Sequence, residues 1–224
     1  MSSTSDSERK RWNEKYRGVS STGTKRIPDP FLVQAFSEYI RPLFPHAGRA
    51  LDLAGGAGRH AIWLAKQGWD VTLIDISEVG VELARQNAGP LGSHMRFVVD
   101  DLTRFQASQT EFGVRLEAAF DVVMVFFYLE RTILPEIIKT LRPGGVLVYK
   151  TYTRAQAELP GGSKNPAHLL EPGELRQLTA GLRVLHYRET VEERATAELV
   201  AQKEIPGSSR DACDVATGTG SQLD

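Results

Sequence analysis

Cysteine is almost absent from this 224-residue chain. The lone Cys213 has no partner for an intramolecular disulfide, and a thiol-rich zinc site cannot form. That usage fits a reducing, cytoplasmic setting. Long hydrophobic runs are missing too. The longest unbroken one, Val122 to Leu129, falls far short of the roughly 20 residues of a membrane span. The start, MSSTSDSERKRWNEKY, has no apolar stretch of the signal-peptide kind, so neither export nor a membrane is expected. An excess of charge is also lacking, since 27 Lys plus Arg stand against 28 Asp plus Glu for a net charge of −1. That balance gives no global attraction to nucleic acid or anionic lipid, so no polyanionic partner is expected. A nucleophile elbow, an HExxH helix, a Walker loop and an EF-hand are all absent. His46, His60, His94, His168 and His186 have no close metal-ligand spacing, so no metal is expected.

What is present is an ordinary globular composition, 41% hydrophobic, in a chain long enough for one large domain with a substantial core. Residues 1–10 are polar and read as a disordered start. Gly18 to Pro30 reads as a loop, and the tail 205–224 has no periodicity and is expected to be disordered. Between start and loop, RWNEKY carries two aromatics that need a surface to cover. A helical pattern follows in PFLVQAFSEYIRPLF, with Phe31, Ala35 and Tyr39 four apart and Pro42 closing it.

From Arg49 onward, strand-like runs alternate with helical ones: ALDLA, HAIWLAKQG, DVTLID, SEVGVELARQNA, MRFVVD. The series continues with FDVVMVFFYL, a helix through Pro135, the turn RPGG and the strand VLVYKTY. Such alternation predicts a parallel sheet covered by helices, and near-continuous apolar strands suit a sheet buried on both faces. LRVLHYRETV and ATAELVAQKE are too close in sequence to pair other than as an antiparallel hairpin. The domain is thus expected over 11–204, with 11–48 as a segment covering a ligand and 49–204 as the core.

The sharpest motif is LDLAGGAGRHAIWLA, a strand running into Gly55, Gly56 and Gly58 and then a helix. Glycines there let backbone approach a ligand and point helix N-terminal amides at it. The dinucleotide fingerprint shares this spacing. Asp75 ends the next strand, where a carboxylate can accept from both hydroxyls of an adenosine ribose. Asp52, just before the glycines, would repel a pyrophosphate and suits a ligand with positive charge. Asp100 or Asp101 ends the third strand, near where an adenine edge would lie. Alternatively, Asp52 bonds neighbouring amides, Asp75 caps the helix after Ser77, and the Asp100–Asp101 pair is merely solvated. Gathered at the carboxyl ends of three successive strands, however, they define a ligand crevice.

The segment D-L-A-G-G-A-G, with Asp52, Ala54, Gly56 and Gly58, resembles the first motif of class I S-adenosylmethionine-dependent methyltransferases. The resemblance runs from about Trp12 to Glu204. RWNEKY and NPAHLLEPGEL are similar to the tellurite-resistance and thiopurine-methyltransferase-like group. The resemblance implies a Rossmann-like α/β fold: a seven-stranded, mostly parallel sheet with an antiparallel last strand and helices on both faces. It implies S-adenosyl-L-methionine as cofactor, with Gly56 and Gly58 facing the methionine portion and Asp75 the ribose. Ile76 would pack on adenine, Asp101 would meet the adenine amino group beside Leu102, and Asp52 would fix the loop or the amino-acid moiety. Trp12 and Tyr16 are candidates to close over the cofactor. Ala54 departs from the commoner glycine of the motif.

Transfer from a sulfonium needs alignment of an acceptor lone pair, exclusion of water and sometimes proton removal. Phe126, Phe127 and Tyr128, ending the fourth strand, and Lys150 and Tyr152, ending the fifth, are acceptor-side candidates; the aromatic ones could wall the sulfonium, with Phe126 a candidate cofactor contact, while Lys150 and Tyr152 are candidates to meet the substrate. Arg59 and His60 open the helix after the glycines and are candidates for the acceptor. The stretch Thr153 to Pro172 has the length of a lid and contains His168, a candidate general base alongside Tyr128. Arg154 and Lys164 are candidates to attract an anion. These residues suggest methyl transfer to a small-molecule acceptor: a thiol, a chalcogen oxyanion or a small metabolite. An NAD-dependent oxidoreductase and a non-catalytic cofactor-binding protein are the rival readings. Oligomeric state is not legible in this sequence.

Overall fold

The structure, a computed structural model, describes residues 3–18, 27–108 and 116–207. The expected disordered tail lies outside the described residues from 208 onward. Seven strands form one sheet in the order β3-β2-β1-β4-β5-β7-β6. In chain order they are β1 (Arg49–Leu53), β2 (Asp70–Asp75), β3 (Met95–Val99), β4 (Phe120–Phe126), β5 (Leu141–Tyr152), β6 (Arg183–Val191) and β7 (Ala195–Gln202). The first five run parallel, and β7 enters antiparallel between β5 and β6. This is the parallel sheet expected from the alternation, ending in the expected hairpin, and it has the Rossmann-like form that the resemblance implies. Its apolar strands bury both faces: along β4, Val122 and Met124 join one cluster, while Val123 and Val125 join the other.

Among the described residues, seven α-helical segments accompany the sheet: α1 (Ser3–Arg17), α2 (Pro30–Ala35), α3 (Arg41–Leu43), α4 (Arg59–Lys66), α5 (Glu78–Ala88), α6 (Leu134–Thr140) and α7 (Glu174–Leu178). Asp29 caps α2 by accepting from the Phe31 N–H at 3.0 Å, and Ser77 caps α5 by accepting from Gly80 at 3.0 Å. Pro42 does not close the second helical stretch. A π-helical turn over Phe36–Ile40 links α2 to α3, and the chain passes through Pro42 to Leu43. The wider turn lets a proline without an N–H be accommodated. RPGG is likewise not a free turn; it lies inside β5, where the register with β4 shifts between Phe120 and Val122 to absorb it.

The N-terminus departs most from expectation. Residues 1–10 read as disordered because no apolar stripe is present, yet α1 begins at Ser3 and docks against α5. Polar contacts seat it. Ser5 Oγ donates to Asp101, the Ser77 hydroxyl donates to Asn13 Oδ1 at 2.6 Å, and Asn13 Nδ2 donates to Glu78 at 2.6 Å. Arg9 lies 3.6 Å from Glu78. Hydropathy periodicity cannot register a helix held by hydrogen bonds. Asn13→Ala removes the buried partner of Ser77, a loss of about 1–3 kcal/mol for an unsatisfied polar group. Hydrogen exchange should then speed in α1 and stay slow in β1 and β4; unchanged α1 exchange would show that these bonds do not hold it.

Candidate active site

Alternation of side chains along β1 places Asp52 beneath the glycine turn, and the turn bonds onward to the next strand. Gly55 N–H donates to the Ile74 carbonyl at 3.2 Å, extending the β1–β2 ladder by one residue. Ala54 takes φ +55°, Gly56 +54° and Gly58 +81°, so three left-handed residues reverse the chain within five positions. A Cβ on Gly58 would come within 2.9 Å of the Ala84 side chain, so glycine there also lets α4 lie close to α5.

Asp75, at the carboxyl end of β2, is buried and accepts from two backbone amides. Gly56 donates to Oδ2 and Ser77 to Oδ1, each at 2.8 Å. It therefore both fixes the turn and steadies the start of α5, so the alternative capping role is real alongside any ligand role. Burial raises its pKa above the usual carboxylate value, against the pull of these two amides and of Lys15. Asp52 is 1% exposed; it accepts from the Ala61 N–H at 3.1 Å, while its other oxygen has no hydrogen-bond partner. Burial pushes its pKa to about 7, with the Ala61 amide and the Arg59 charge pulling the other way. Asp101, following β3, accepts from Ser5, from the Thr103 N–H at 2.9 Å and from the Thr103 hydroxyl at 2.8 Å. Burial raises its pKa, but those bonds and Arg104 outweigh it and hold the carboxyl below its ordinary value. Leu102 beside it is buried and Ile76 half-buried.

Helix α1 lies over these groups. The Tyr16 hydroxyl sits where a Cβ on Gly56 would project, 1.9 Å from that position, and its ring lies 2.9 Å from the corresponding position on Gly80. Glycine at these positions leaves room for Tyr16, and at Gly56 it also suits the left-handed backbone. Burial, then the Asp75 charge, holds the phenol well above its usual pKa, so it stays a hydrogen-bond donor. Trp12 stacks on Tyr16 with centroids 6.1 Å apart and carries Lys15 over its ring at 4.1 Å.

The acceptor candidates divide. Phe126 is buried against His60, centroids 4.1 Å apart, and against Phe31. It is a core residue, not an exposed wall. His60 is 3% exposed, and burial followed by the Arg59 and Lys150 charges drives its pKa well below the usual range. Sequence position at the helix start suggested an open imidazole; packing against Phe126 closes it and keeps it neutral. Lys150 is paired with Asp29 at 2.9 Å and Glu198 at 3.0 Å, bracing α2 to β7. Tyr128 has its phenol held well above the usual range by burial and then by Glu130, Asp101 and Asp75, which disfavours a phenolate base. His168 lies in a segment clamped by Arg131, whose guanidinium donates to the Ala167 and Leu169 carbonyls at 2.8 and 2.9 Å. No hydrogen bond or ring contact joins its imidazole to the glycine turn. The surrounding stretch 153–172 contains two short 3-10 turns and is tied down by Gln156, which accepts from the Ala195 N–H at 2.9 Å. Lys164 is spent on carbonyls of that loop and Arg154 on Glu171, so neither stands free for an anion.

Phe127, by contrast, takes φ +58°, a left-handed conformation costly for a bulky residue, and meets Tyr152 with centroids 4.9 Å apart. Arg194, in the β6–β7 turn, donates to the Tyr152 hydroxyl at 3.2 Å and was missed in the sequence. The signal was there: antiparallel pairing brings the start of β7 beside Tyr152, so the turn before it must reach the same edge.

Residues 50–145 match the family model of the methyltransferase domain. The chain is 29% identical over 141 residues to tRNA 5-carboxymethoxyuridine methyltransferase of Escherichia coli (strain K12), covering 61% of this chain and 52% of that protein. It thus spans about half the length of that curated relative. Among solved structures it resembles TehB from Haemophilus influenzae, with TM-score 0.61, 19% identity, and 88% and 67% of the two chains covered. It also resembles magnesium protoporphyrin IX methyltransferase from Synechocystis PCC 6803 with bound SAH, with TM-score 0.59, 16% identity, and 77% and 81% covered. The structural likenesses establish the fold. The matched domain and the curated relative do not favour the oxidoreductase reading.

In the unfolded chain Asp52 loses its proton near pH 4; in the fold it does so at about 7. Between those values the native state holds a proton that the unfolded state has released, so this group's contribution falls as pH rises from about 4 to 7. Asp75 is shifted the same way. Asp52→Asn should therefore gain stability relative to the parent between pH 5 and 7.5, read from urea midpoints. An equal pH slope in both proteins would contradict the buried-carboxyl assignment.

Proposed function

We propose that this protein transfers a methyl group from S-adenosylmethionine to a small-molecule acceptor. The observation that carries the reading is the convergence of Asp52, Asp75 and Asp101 at the carboxyl ends of β1, β2 and β3 around a left-handed glycine turn. The finer kinship with the tellurite-resistance and thiopurine-methyltransferase-like group is part of this proposal and is supported by the likeness to TehB.

The residues suit the group. Asp52 has a buried oxygen without a partner, apt for the ammonium of the methionine moiety, whose charge would draw the carboxyl into its ionised form. Asp75 retains lone pairs beyond its two amide bonds and would accept from the ribose hydroxyls. Asp101 would meet the adenine amino group in place of, or beside, the Ser5 hydroxyl, with Ile76 and Leu102 flanking the ring. Gly56 and Gly58 would give the methionine portion access to the turn, and Ala54 starts that turn. Tyr16, backed by Trp12, would close the site against water. When bound, the sulfonium supplies a methyl carbon already activated toward an acceptor lone pair, the S–CH3 electrons passing to sulfur. Tyr128 and Tyr16, held as neutral phenols, would donate hydrogen bonds without acting as bases. A proton held by the acceptor would pass to water or to His168 if the 153–172 segment moves inward.

Likeness to an enzyme named for a tRNA nucleoside favours RNA as a second reading. The near-even charge of this chain and the coverage of the crevice by α1 support the small-molecule reading over it. Asp75→Ala should weaken S-adenosylmethionine binding by about 1–3 kcal/mol, the worth of hydrogen bonds to a charged group. In an assay with methyl-labelled cofactor, label should enter a small-molecule extract and not bulk tRNA. Label in tRNA alone would replace this reading with the RNA one, and unchanged affinity in a folded Asp75→Ala protein would remove Asp75 from the site.

A further inference from the structure

Three cationic groups surround the ring of Phe127: Arg194 at 5.7 Å, Arg59 at 5.8 Å and Lys150 at 5.9 Å from its centroid. They come from the β6–β7 turn, the first residue of α4 and the end of β5, so the fold converges them from distant stretches of sequence. Lys150 is neutralised by Asp29 and Glu198. Arg59 and Arg194 form no ion pair among the described residues, and Arg194 spends one N–H on the Tyr152 hydroxyl. Like charges gathered around one ring repel unless an anion joins them. The ring at their centre is itself held in a strained left-handed backbone, with the Phe127 N–H bonded to the Lys150 carbonyl at 2.8 Å. Strain of that kind, of order 1–3 kcal/mol, persists where the surrounding structure enforces it and clusters at ligand sites. Arg59 directly follows Gly58, and its charge is felt by both Asp52 and Tyr16, so the cluster adjoins the glycine turn.

We propose that Arg59, Arg194 and the Tyr152 hydroxyl, set around Phe127, form a recognition subsite for the carboxylate of a planar, aromatic acceptor. This deepens the methyltransferase reading and rests on it. A guanidinium presents paired N–H groups that match the two oxygens of a carboxylate, and it stacks on aromatic planes as lysine does not. The rings of Phe127 and Tyr152 offer the faces on which a flat acceptor would lie.

The test uses the full chain saturated with S-adenosylhomocysteine and titrated with benzoate and, separately, benzamide, followed by NMR. Benzoate should bind at least tenfold more tightly than benzamide and shift the Arg59 and Arg194 side-chain resonances. Arg194→Gln, a change in an exposed turn, should weaken benzoate about tenfold and leave S-adenosylhomocysteine affinity within twofold, which also reports that the variant is folded. Arg194→Lys should restore only part of the loss. Equal binding of the two probes, no binding of either, or an Arg194→Gln protein that binds benzoate like the parent would overturn the subsite while leaving the cofactor reading intact. Failure of S-adenosylhomocysteine itself to bind would remove the methyltransferase reading and the subsite with it.

Discussion

The buried carboxylate of Asp75 accepting from the amides of Gly56 and Ser77 is the contact on which the site depends. One side chain ties the glycine turn after β1 to the end of β2 and to the first turn of α5. A carboxylate taken from water without such donors carries a penalty of several kcal/mol. With two short N–H bonds it becomes a rigid corner, and the turn need not be held by a ligand to keep its shape. Asp52 below the same turn is less well served, with one amide and one unpartnered oxygen, and burial pushes its carboxyl up to about 7. A site built this way is pre-shaped in its backbone and unsatisfied in its charge.

Helix α1 sits over that corner by a different physics from the rest of the fold. The sheet and its flanking helices are joined by apolar clusters on both faces. The first helix is joined by Ser5 to Asp101, by Asn13 to the cap of α5, and by Tyr16 resting over Gly56 and Gly80. Net worth per hydrogen bond is about 1 kcal/mol, so an element held by a few of them opens more readily than one buried in the core. Its partners are the groups the cofactor would use, Asp101 and the neighbourhood of Asp75. On the proposed reading, cover and ligand would compete for some acceptors and share others, and exchange of cofactor would require the cover to lift.

Strand alternation, the terminal hairpin, the glycine turn and the acids at three strand ends were legible in the sequence, because each leaves a local mark: period, punctuation or position after a strand. What escaped was decided by contacts between distant segments. His60 looked like an acceptor-facing residue at a helix start until Phe126 packed against it. Lys150 looked like an acceptor-side residue until Asp29, 121 residues earlier, and Glu198 claimed it. Arg194 carried no motif at all, and only the antiparallel register of β5 with β7 brings its turn to the crevice. The helix over residues 3–17 was invisible to hydropathy because its docking is polar, and Pro42 misled because a π-helical turn upstream absorbs it.

The most direct measurement is calorimetric titration of cofactor-free protein with S-adenosylmethionine and, separately, with NAD. The account predicts saturable one-to-one binding of S-adenosylmethionine, with proton release at pH 6.5 as the ammonium draws Asp52 into its ionised form, and no heat from NAD. Binding of NAD alone, or of neither ligand, would contradict it.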